Sequence, residues 1–261
     1  MDYNQLLKGK TAFITTAAGG IGLDIALLFA GQGATIAFGG RRQADVDSTA
    51  AGLCEPAPGS RGYVCDFSLK EETEGVCDRI LADFGGVDIL VNVVGVNKQD
   101  YAHNIKDEDI EWLLETNYKS SLRTARKFLP GMMERKCGSI INISSIHGTQ
   151  TMAKFALYAG TKGAMDASAR AMALAYAPYG IRVNNLAPGL IMSKVMTEEV
   201  LSYPEGHKRD EFIRLLESMQ PLPIGKMRDV SNTALFLASE MSAYITGQTI
   251  LVDGGATVKA H

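Results

Sequence analysis

Tyr158 and Lys162 stand four residues apart in the stretch "FALYAGTKGAMDASARAMALAY", residues 155–176. The stretch has few helix breakers. Its small residues Ala159, Gly160, Gly163, Ala164, Ala167, Ala171 and Ala175 let a neighbouring backbone come close, so the sequence predicts a buried or interface helix over 155–176. A four-residue separation then puts the phenol and the ammonium on one helix face. An unperturbed phenol ionises near a pH of about 10, too high for a base at neutrality, and a neighbouring ammonium favours its phenolate. Such a pair can pass a proton to or from an alcohol or carbonyl oxygen. The spacing alone also arises by coincidence on many helices, so the rest of the chain must supply the partners.

The chain has 261 residues, a formal charge of −3 and a pI near 5.9, enough length for a sizeable core and no basic bias that would suit a nucleic acid. Its first residues lack the basic-then-apolar order of a signal peptide, and no long uncharged apolar run follows, so a cytoplasmic location off the membrane is expected. Cys54, Cys65, Cys77 and Cys137 form no CxxC pair and are read as reduced thiols. His103, His147, His207 and His261 are spaced like no metal site, so no metal is expected.

Strands and helices alternate. Apolar runs at "TAFIT", "ATIAFGG", "YVCDF", "VDILVNVVG", "GSIINISS", "IRVNNLAPG" and "QTILVDGG" read as seven strands, too apolar on both faces for anything but a mostly parallel sheet covered by helices on both sides, an α/β fold. Ser68, with Glu71 three residues on, reads as a capping box for the helix after the third strand. A long helix over 108–135, interrupted or kinked near Pro130, carries Asn117. Nothing separates residues 1–261 into two domains. A segment at about 190–226, punctuated by Pro204, Gly206, Pro221 and Pro223, reads either as a surface helix pair or as a lid, and its place after a strand's carboxyl end favours the lid.

The loop "TTAAGGIG", residues 15–22, follows the first strand directly and opens the first helix. Gly20 and Gly22 there permit close backbone approach while the helix N-terminus faces a pyrophosphate. Taken with Asn117, Ser145, Tyr158 and Lys162, this loop makes nearly the whole chain resemble the short-chain dehydrogenases/reductases. In that family the glycine motif falls on Thr15, Thr16, Gly20 and Gly22. The Asn-Asn-Ala-Gly motif falls on Asn92, Val93, Val94 and Gly95, and the Pro-Gly-x-x-x-Thr segment on Pro188, Gly189 and Ser193. Two departures stand out: Thr16 where the family has its first glycine, and Val93-Val94 where it has Asn-Ala.

The resemblance implies a single Rossmann-type, doubly wound parallel seven-stranded sheet, and hydride transfer between a secondary alcohol or ketone and a nicotinamide dinucleotide. Tyr158 is then the acid/base. Lys162 lowers its pKa and binds the nicotinamide ribose, Ser145 holds the substrate oxygen, and Asn117 holds a water leading to solvent. Asp66 would bind the adenine amino group or, failing that, cap the next helix. The implied cofactor set is Thr15, Thr16, Gly20, Ile21, Gly22, Gly40, Arg41, Arg42, Asp66, Phe67, Asn92, Gly95, Tyr158, Lys162, Pro188, Gly189, Ile191 and Ser193.

An NAD site places an acid about twenty residues past the glycine loop, whereas a 2'-phosphate needs positive charge. Here Gly40 holds that position, and Arg41 and Arg42 follow, so NADP(H) is expected over NAD, with Arg41 engaging the phosphate and Arg42 facing solvent. Beside Ser145 and Tyr158, the substrate is expected to meet His147, Met152 and Phe155 from the loop before the helix, and Met192, Met196 and His207 from the lid. By analogy of length with relatives, the substrate is read as a sugar acid, polyol or ring alcohol. The alternatives are 3-oxoacyl-carrier-protein reduction, hydroxysteroid oxidation, and a non-catalytic dinucleotide sensor. The helices around Asn117 and after Tyr158 look too apolar and small-sided to face only solvent and one sheet, and the resemblance implies that they pair into a dimer of dimers, a homotetramer.

Overall fold

The computed structural model describes residues 4–259. Seven strands, β1 (Thr11–Ile14), β2 (Thr35–Gly40), β3 (Arg61–Val64), β4 (Ile89–Asn92), β5 (Gly138–Ile143), β6 (Ile181–Pro188) and β7 (Thr249–Val252), form one sheet in the order β3-β2-β1-β4-β5-β6-β7. Every pairing is parallel. The order reverses between β1 and β4. The carboxyl ends of these two strands therefore open a crevice between diverging connections, the place where doubly wound sheets bind ligands.

Side chains alternate between the two faces of each strand. Ala12 and Ile14 of β1 join a core with Ile25 and Phe29 of helix α1 (Gly20–Gly31) and Val230 and Leu237 of helix α9 (Met227–Ala238). Phe13, between them, joins a second core with Ile80 of α3 (Lys70–Phe84) and Phe128 of α5 (Ser120–Arg135). Phe13 and Phe128 meet edge to face, ring centroids 5.5 Å apart. Both faces of the central strands are thus buried, which is why they read as continuous apolar runs, whereas the edge strands β3 and β7 stay partly exposed.

Three local expectations need correction. Ser68 does not cap α3: its amide and hydroxyl both donate to Asp66 Oδ1, at 2.9 and 2.7 Å, and the helix starts after Leu69 with no side-chain cap. Glu72, rather than Glu71, reaches back to accept from the Asp66 amide at 2.7 Å. The helix over 108–135 is interrupted, but not at Pro130, which lies inside α5. The break is a π-helical turn, Leu114–Lys119, between α4 (Asp107–Leu113) and α5, and it carries Asn117. Single π-turns of this kind often occur at functional sites. The helix predicted over 155–176 is α6 (Ala156–Tyr176), with α2 (Gln43–Leu53) completing the helices of the sheet layers.

The 190–226 segment holds two surface helices, α7 (Lys194–Ser202) and α8 (His207–Ser218). Tyr203 stacks on Phe212 at 4.6 Å, and Arg209 donates to the Tyr203 carbonyl, so the pair is tied to itself. Its two ends are joined by a bridge between Ile191 and Gly225.

Candidate active site

The loop after β1 explains how a threonine stands where a glycine was expected. Gly20 takes the left-handed φ of 58°, whereas among described non-glycine residues positive φ occurs only at Lys136 and Lys154. Thr16 therefore adopts an ordinary conformation, and the turn's demand falls on its glycines. Gly22 carries the other constraint: a Cβ there would sit 1.8 Å from the Thr16 carbonyl oxygen, so the helix can start this close to the strand only with glycine. Helix α1 has neither a side-chain cap nor an acidic residue in its first turn, which leaves its amides for an anion.

Two cavities at the carboxyl ends of the strands share Thr16, Gly95 and Val96. One, of about 200 Å³, is walled by Gly40, Arg41, Asp66, Phe67 and Trp112. The other, of about 470 Å³, is walled by Gly20, Ile21, Gly22, Ser145, Tyr158, Lys162, Pro188, Gly189, Ile191 and Ser193. A dinucleotide has two lobes joined at a pyrophosphate, and the glycine loop lies where the two cavities meet, so the residues present fit such a group. A further cavity of about 500 Å³ lies at the opposite, amino ends of β4, β5 and β6, beside Lys10 and Arg182, and takes no part in this arrangement.

Not every residue expected at the cofactor faces it. The Thr15 hydroxyl is occupied by the amides of Val93 and Val94, at 2.9 and 3.2 Å, and so pins the loop after β4 to the glycine loop. Asn92 is buried in the sheet, donating to Asn142 and accepting from Thr124. Arg42 is held by Asp45 through two hydrogen bonds, at 2.6 and 2.9 Å, with its side chain 79% exposed. Arg41 is different. It lines the smaller cavity and has no ion-pair or hydrogen-bond partner among the described residues.

Ser145 ends the loop from β5, Tyr158 lies in the first turn of α6, and Lys162 lies one turn on. Burial pushes the Tyr158 phenol up from its ordinary value, and the hydrogen bond with the Ser145 hydroxyl works against that rise. The expectation that Lys162 lowers the phenol therefore needs correction for this arrangement. The Lys162 ammonium donates to the Ile143 carbonyl at 2.8 Å and lies 5.7 Å from the centre of the Tyr158 ring. Burial pulls Lys162 down to about 8, with Asp166 working the other way. Asn117 is fully buried. Its amide accepts from Val96 N and donates to Val96 O, both at 2.8 Å, and to Thr161, which fixes the loop after β4 against the π-turn.

His147 stacks flat on Phe155, centroids 4.2 Å and planes 7° apart, and meets the Tyr158 ring edge-on at 5.7 Å. Its Nδ1 is engaged with Thr151 Oγ1 at 2.8 Å, and burial lowers its pKa, so the ring is neutral near pH 7. Met152 is exposed. Met192 and Met196 are half-buried at the start of the 190–226 segment, and His207 stands out in solvent beside Glu211. None of the six residues His147, Phe155, Met152, Met192, Met196 and His207 lines either of the two cavities.

Sequence reasoning missed several neighbours. Asn97 and Leu190, on loops, and Met227, at the start of α9, line the larger cavity and Trp112, on α4, the smaller, and no local pattern announces their approach. Lys154 has a φ of 70°, a strained value for a residue with a Cβ; its carbonyl accepts from Asp100 N and its ammonium lies over the Tyr101 ring. The loop before α6 is thereby clasped to the loop after β4.

The chain is similar to known proteins along nearly its whole length. A family model described as enoyl-(acyl carrier protein) reductase matches residues 16–257. A 3-oxoacyl-[acyl-carrier-protein] reductase, FabG, of Thermotoga maritima is 33% identical over 97% of this chain and 99% of its own. A tropinone reductase homolog of Arabidopsis thaliana is 35% identical over 97% of this chain and 92% of its own. Among solved structures, ElxO with NADP bound superposes with a TM-score of 0.88 at 28% identity, covering 96% of this chain and 99% of that one.

Proposed function

The chain belongs to the short-chain dehydrogenase/reductase family, and on that premise we propose that it is an NADP(H)-preferring oxidoreductase interconverting a secondary alcohol and a ketone. That it acts on CH–OH groups with NAD(P) follows from the family itself. The observation that carries the reading is a single cavity holding Ser145, Tyr158 and Lys162 beside the glycine loop. When bound, the nicotinamide supplies or accepts the hydride. Tyr158 holds and moves the proton at the substrate oxygen, Ser145 fixes that oxygen by hydrogen bonding, and Lys162 holds the nicotinamide ribose. Thr16, Gly20, Ile21 and Gly22 hold the pyrophosphate, and Asp66 and Arg41 the adenosine end. The preference for NADP(H) is supported by the unpartnered Arg41 and by ElxO, which binds NADP.

For the substrate we favour a sugar acid, polyol or ring alcohol. The ground is the length of the 190–226 segment, like that of relatives acting on such compounds; His147 and Phe155 stack on each other next to Tyr158 but line neither cavity. The second reading is 3-oxoacyl-carrier-protein reduction, favoured by the activity named for the Thermotoga relative. A cofactor-consumption screen over sugar acids, polyols, ring alcohols, steroids and an acyl thioester tests both. We expect turnover with a ring or polyol substrate. Turnover confined to the thioester would move the assignment to the carrier-protein reductase, and cofactor binding without any turnover would point to a sensor.

The segment 190–226 serves as a lid on a single domain, and the protein works in the cytoplasm as a homotetramer. On α6, Ala167, Ala171 and Leu174 face outward, Leu174 at 81% exposure, and α5 adds Leu122, an apolar surface suited to a second copy. Sedimentation at micromolar concentration is expected to show a tetramer; a monomer would reject this assembly. No described helix is long and apolar enough to cross a membrane, and no described group of His, Cys, Asp and Glu residues could hold a metal.

A further inference from the structure

Asn92, Asn142 and Asn185 stand at one level across three neighbouring strands, Asn92 in register with Asn142 and Asn142 with Asn185. All three are buried. Their hydrogen bonds run in one direction. The Thr124 hydroxyl donates to Asn92 Oδ1 at 2.7 Å, Asn92 Nδ2 to Asn142 Oδ1 at 2.9 Å, Asn142 Nδ2 to Asn185 Oδ1 at 2.9 Å, and Asn185 Nδ2 to Asp166 Oδ1 at 2.8 Å. The direction is set at the far end: Asn185 Nδ2 also faces the Met165 carbonyl, which can only accept. Turning any one amide over would set donor against donor or acceptor against acceptor. A chain of aligned amide dipoles thus ends with its donor on a carboxylate.

Asp166 is 4% exposed, and its Oδ2 has no hydrogen-bond partner among the described residues. That oxygen lies against the turn after Ser145, where a Cβ on Gly148 would come within 2.4 Å of it. One helical turn before Asp166, on the same face of α6, is Lys162. The Lys162 side chain is itself buried, with one hydrogen bond for its ammonium. A buried charge needs a partner, and the elements packed around Lys162 offer few. β5 presents the Ile143 carbonyl, the π-turn the neutral Asn117, β6 the neutral Asn185, and the turn after β5 Ser145 and a His147 ring whose charged form burial disfavours. Tyr158, on the same helix, is kept protonated by burial. Among the described residues, the one anion these elements offer is Asp166, one helical turn away and not in direct ion-pair contact.

We propose that Asp166 is a positioning residue of the reaction site, its carboxylate oriented by the asparagine chain to supply the counter-charge that keeps the Lys162 ammonium protonated beside Tyr158. This rests on the reading that Lys162 serves the site, but its test needs no substrate. The titration of Lys162 is followed by NMR of isotope-labelled lysine in the cofactor-free protein and assigned with Lys162→Met. Asp166→Asn keeps the shape and removes the charge; the Lys162 midpoint is expected to fall by about one pH unit, a tenfold loss of proton affinity. The double variant Asp166→Asn/Asn185→Asp returns a carboxylate to the pair and is expected to return the midpoint toward the wild-type value. Should Asp166→Asn not fold, Asp166→Ser removes the same charge and leaves room for water, with the same expected shift. A folded charge-removing variant whose Lys162 midpoint does not move would overturn the proposal, even if its melting temperature fell, because a purely structural carboxylate changes stability without changing the titration. Failure to find a substrate would leave this result intact, so the two readings fail separately.

Discussion

Tyr158→Phe is expected to bind the dinucleotide as the wild type does and to turn over about a hundred- to ten-thousandfold more slowly, the range a positioned proton donor contributes. The substitution removes one oxygen and almost no volume, so the edge contacts of the ring with His147 and Phe155 persist. What is lost is the group that exchanges a proton with the substrate oxygen and the hydrogen bond it shares with Ser145. The pH dependence follows from the same groups. Burial raises the phenol, so its protonated form, the donor needed for ketone reduction, dominates through neutrality, while alcohol oxidation, which needs the phenolate, speeds up as pH rises. Burial pulls Lys162 down to about 8, so the ammonium proposed to hold the ribose is present below that pH and is lost above it; reduction should therefore fade on the alkaline side. Dinucleotide titration and single-turnover rates across pH check both parts. A variant keeping more than about a tenth of the wild-type rate, where chemistry is rate-limiting, would sink the acid/base assignment of Tyr158.

The sheet was legible because burying both faces of a parallel strand demands apolar residues at every position, and "TAFIT" or "ILVN" offer no other reading. The positions of Tyr158, Lys162 and Gly22 were legible because helical spacing and close backbone approach are local properties. What escaped the sequence depends on contacts between distant segments. Nothing near Asn117 distinguishes a π-turn from an α-turn; the hydrogen bonds of its amide to Val96 and Thr161 do so only once the fold has brought these together. Ser68 looks like a cap until Asp66, two residues before it, competes for its hydroxyl, and no pattern ranks those two local bonds. Asn142 and Asn185 read as ordinary polar residues within strands. Only the register of β5 and β6 lines them up with Asp166, and that register is set by the whole sheet.

Replacing Arg41 by Ala is expected to weaken NADP(H) about ten- to a hundredfold while leaving NAD(H) nearly unchanged, because only the phosphorylated ribose offers the guanidinium an anion. A charge-assisted hydrogen bond contributes about 1.5–3 kcal/mol when shielded and less where water competes. Arg41 is exposed, so the lower part of that range is the appropriate one, and each 1.4 kcal/mol is about tenfold in affinity. The neighbouring arginine is the internal control. Arg42 is already held through two hydrogen bonds by Asp45, so Arg42→Ala should change the affinity for either cofactor far less. Reversing the preference with Gly40→Asp is more constrained than the sequence suggests. A Cβ at Gly40 would lie 3.0 Å from Val46 Cγ2 and 3.1 Å from Ala18 Cβ, so both must give way by a few tenths of an ångström. We therefore expect Arg41→Ala/Gly40→Asp to favour NAD(H), through a carboxylate that accepts from the ribose hydroxyls, and to melt at a lower temperature than Arg41→Ala alone. Dissociation constants for both cofactors with wild type, Arg41→Ala and Arg42→Ala decide the matter. A wild type that already prefers NAD(H), or an Arg41→Ala protein that loses both cofactors equally, would show that Arg41 shapes the cavity wall and does not read the phosphate.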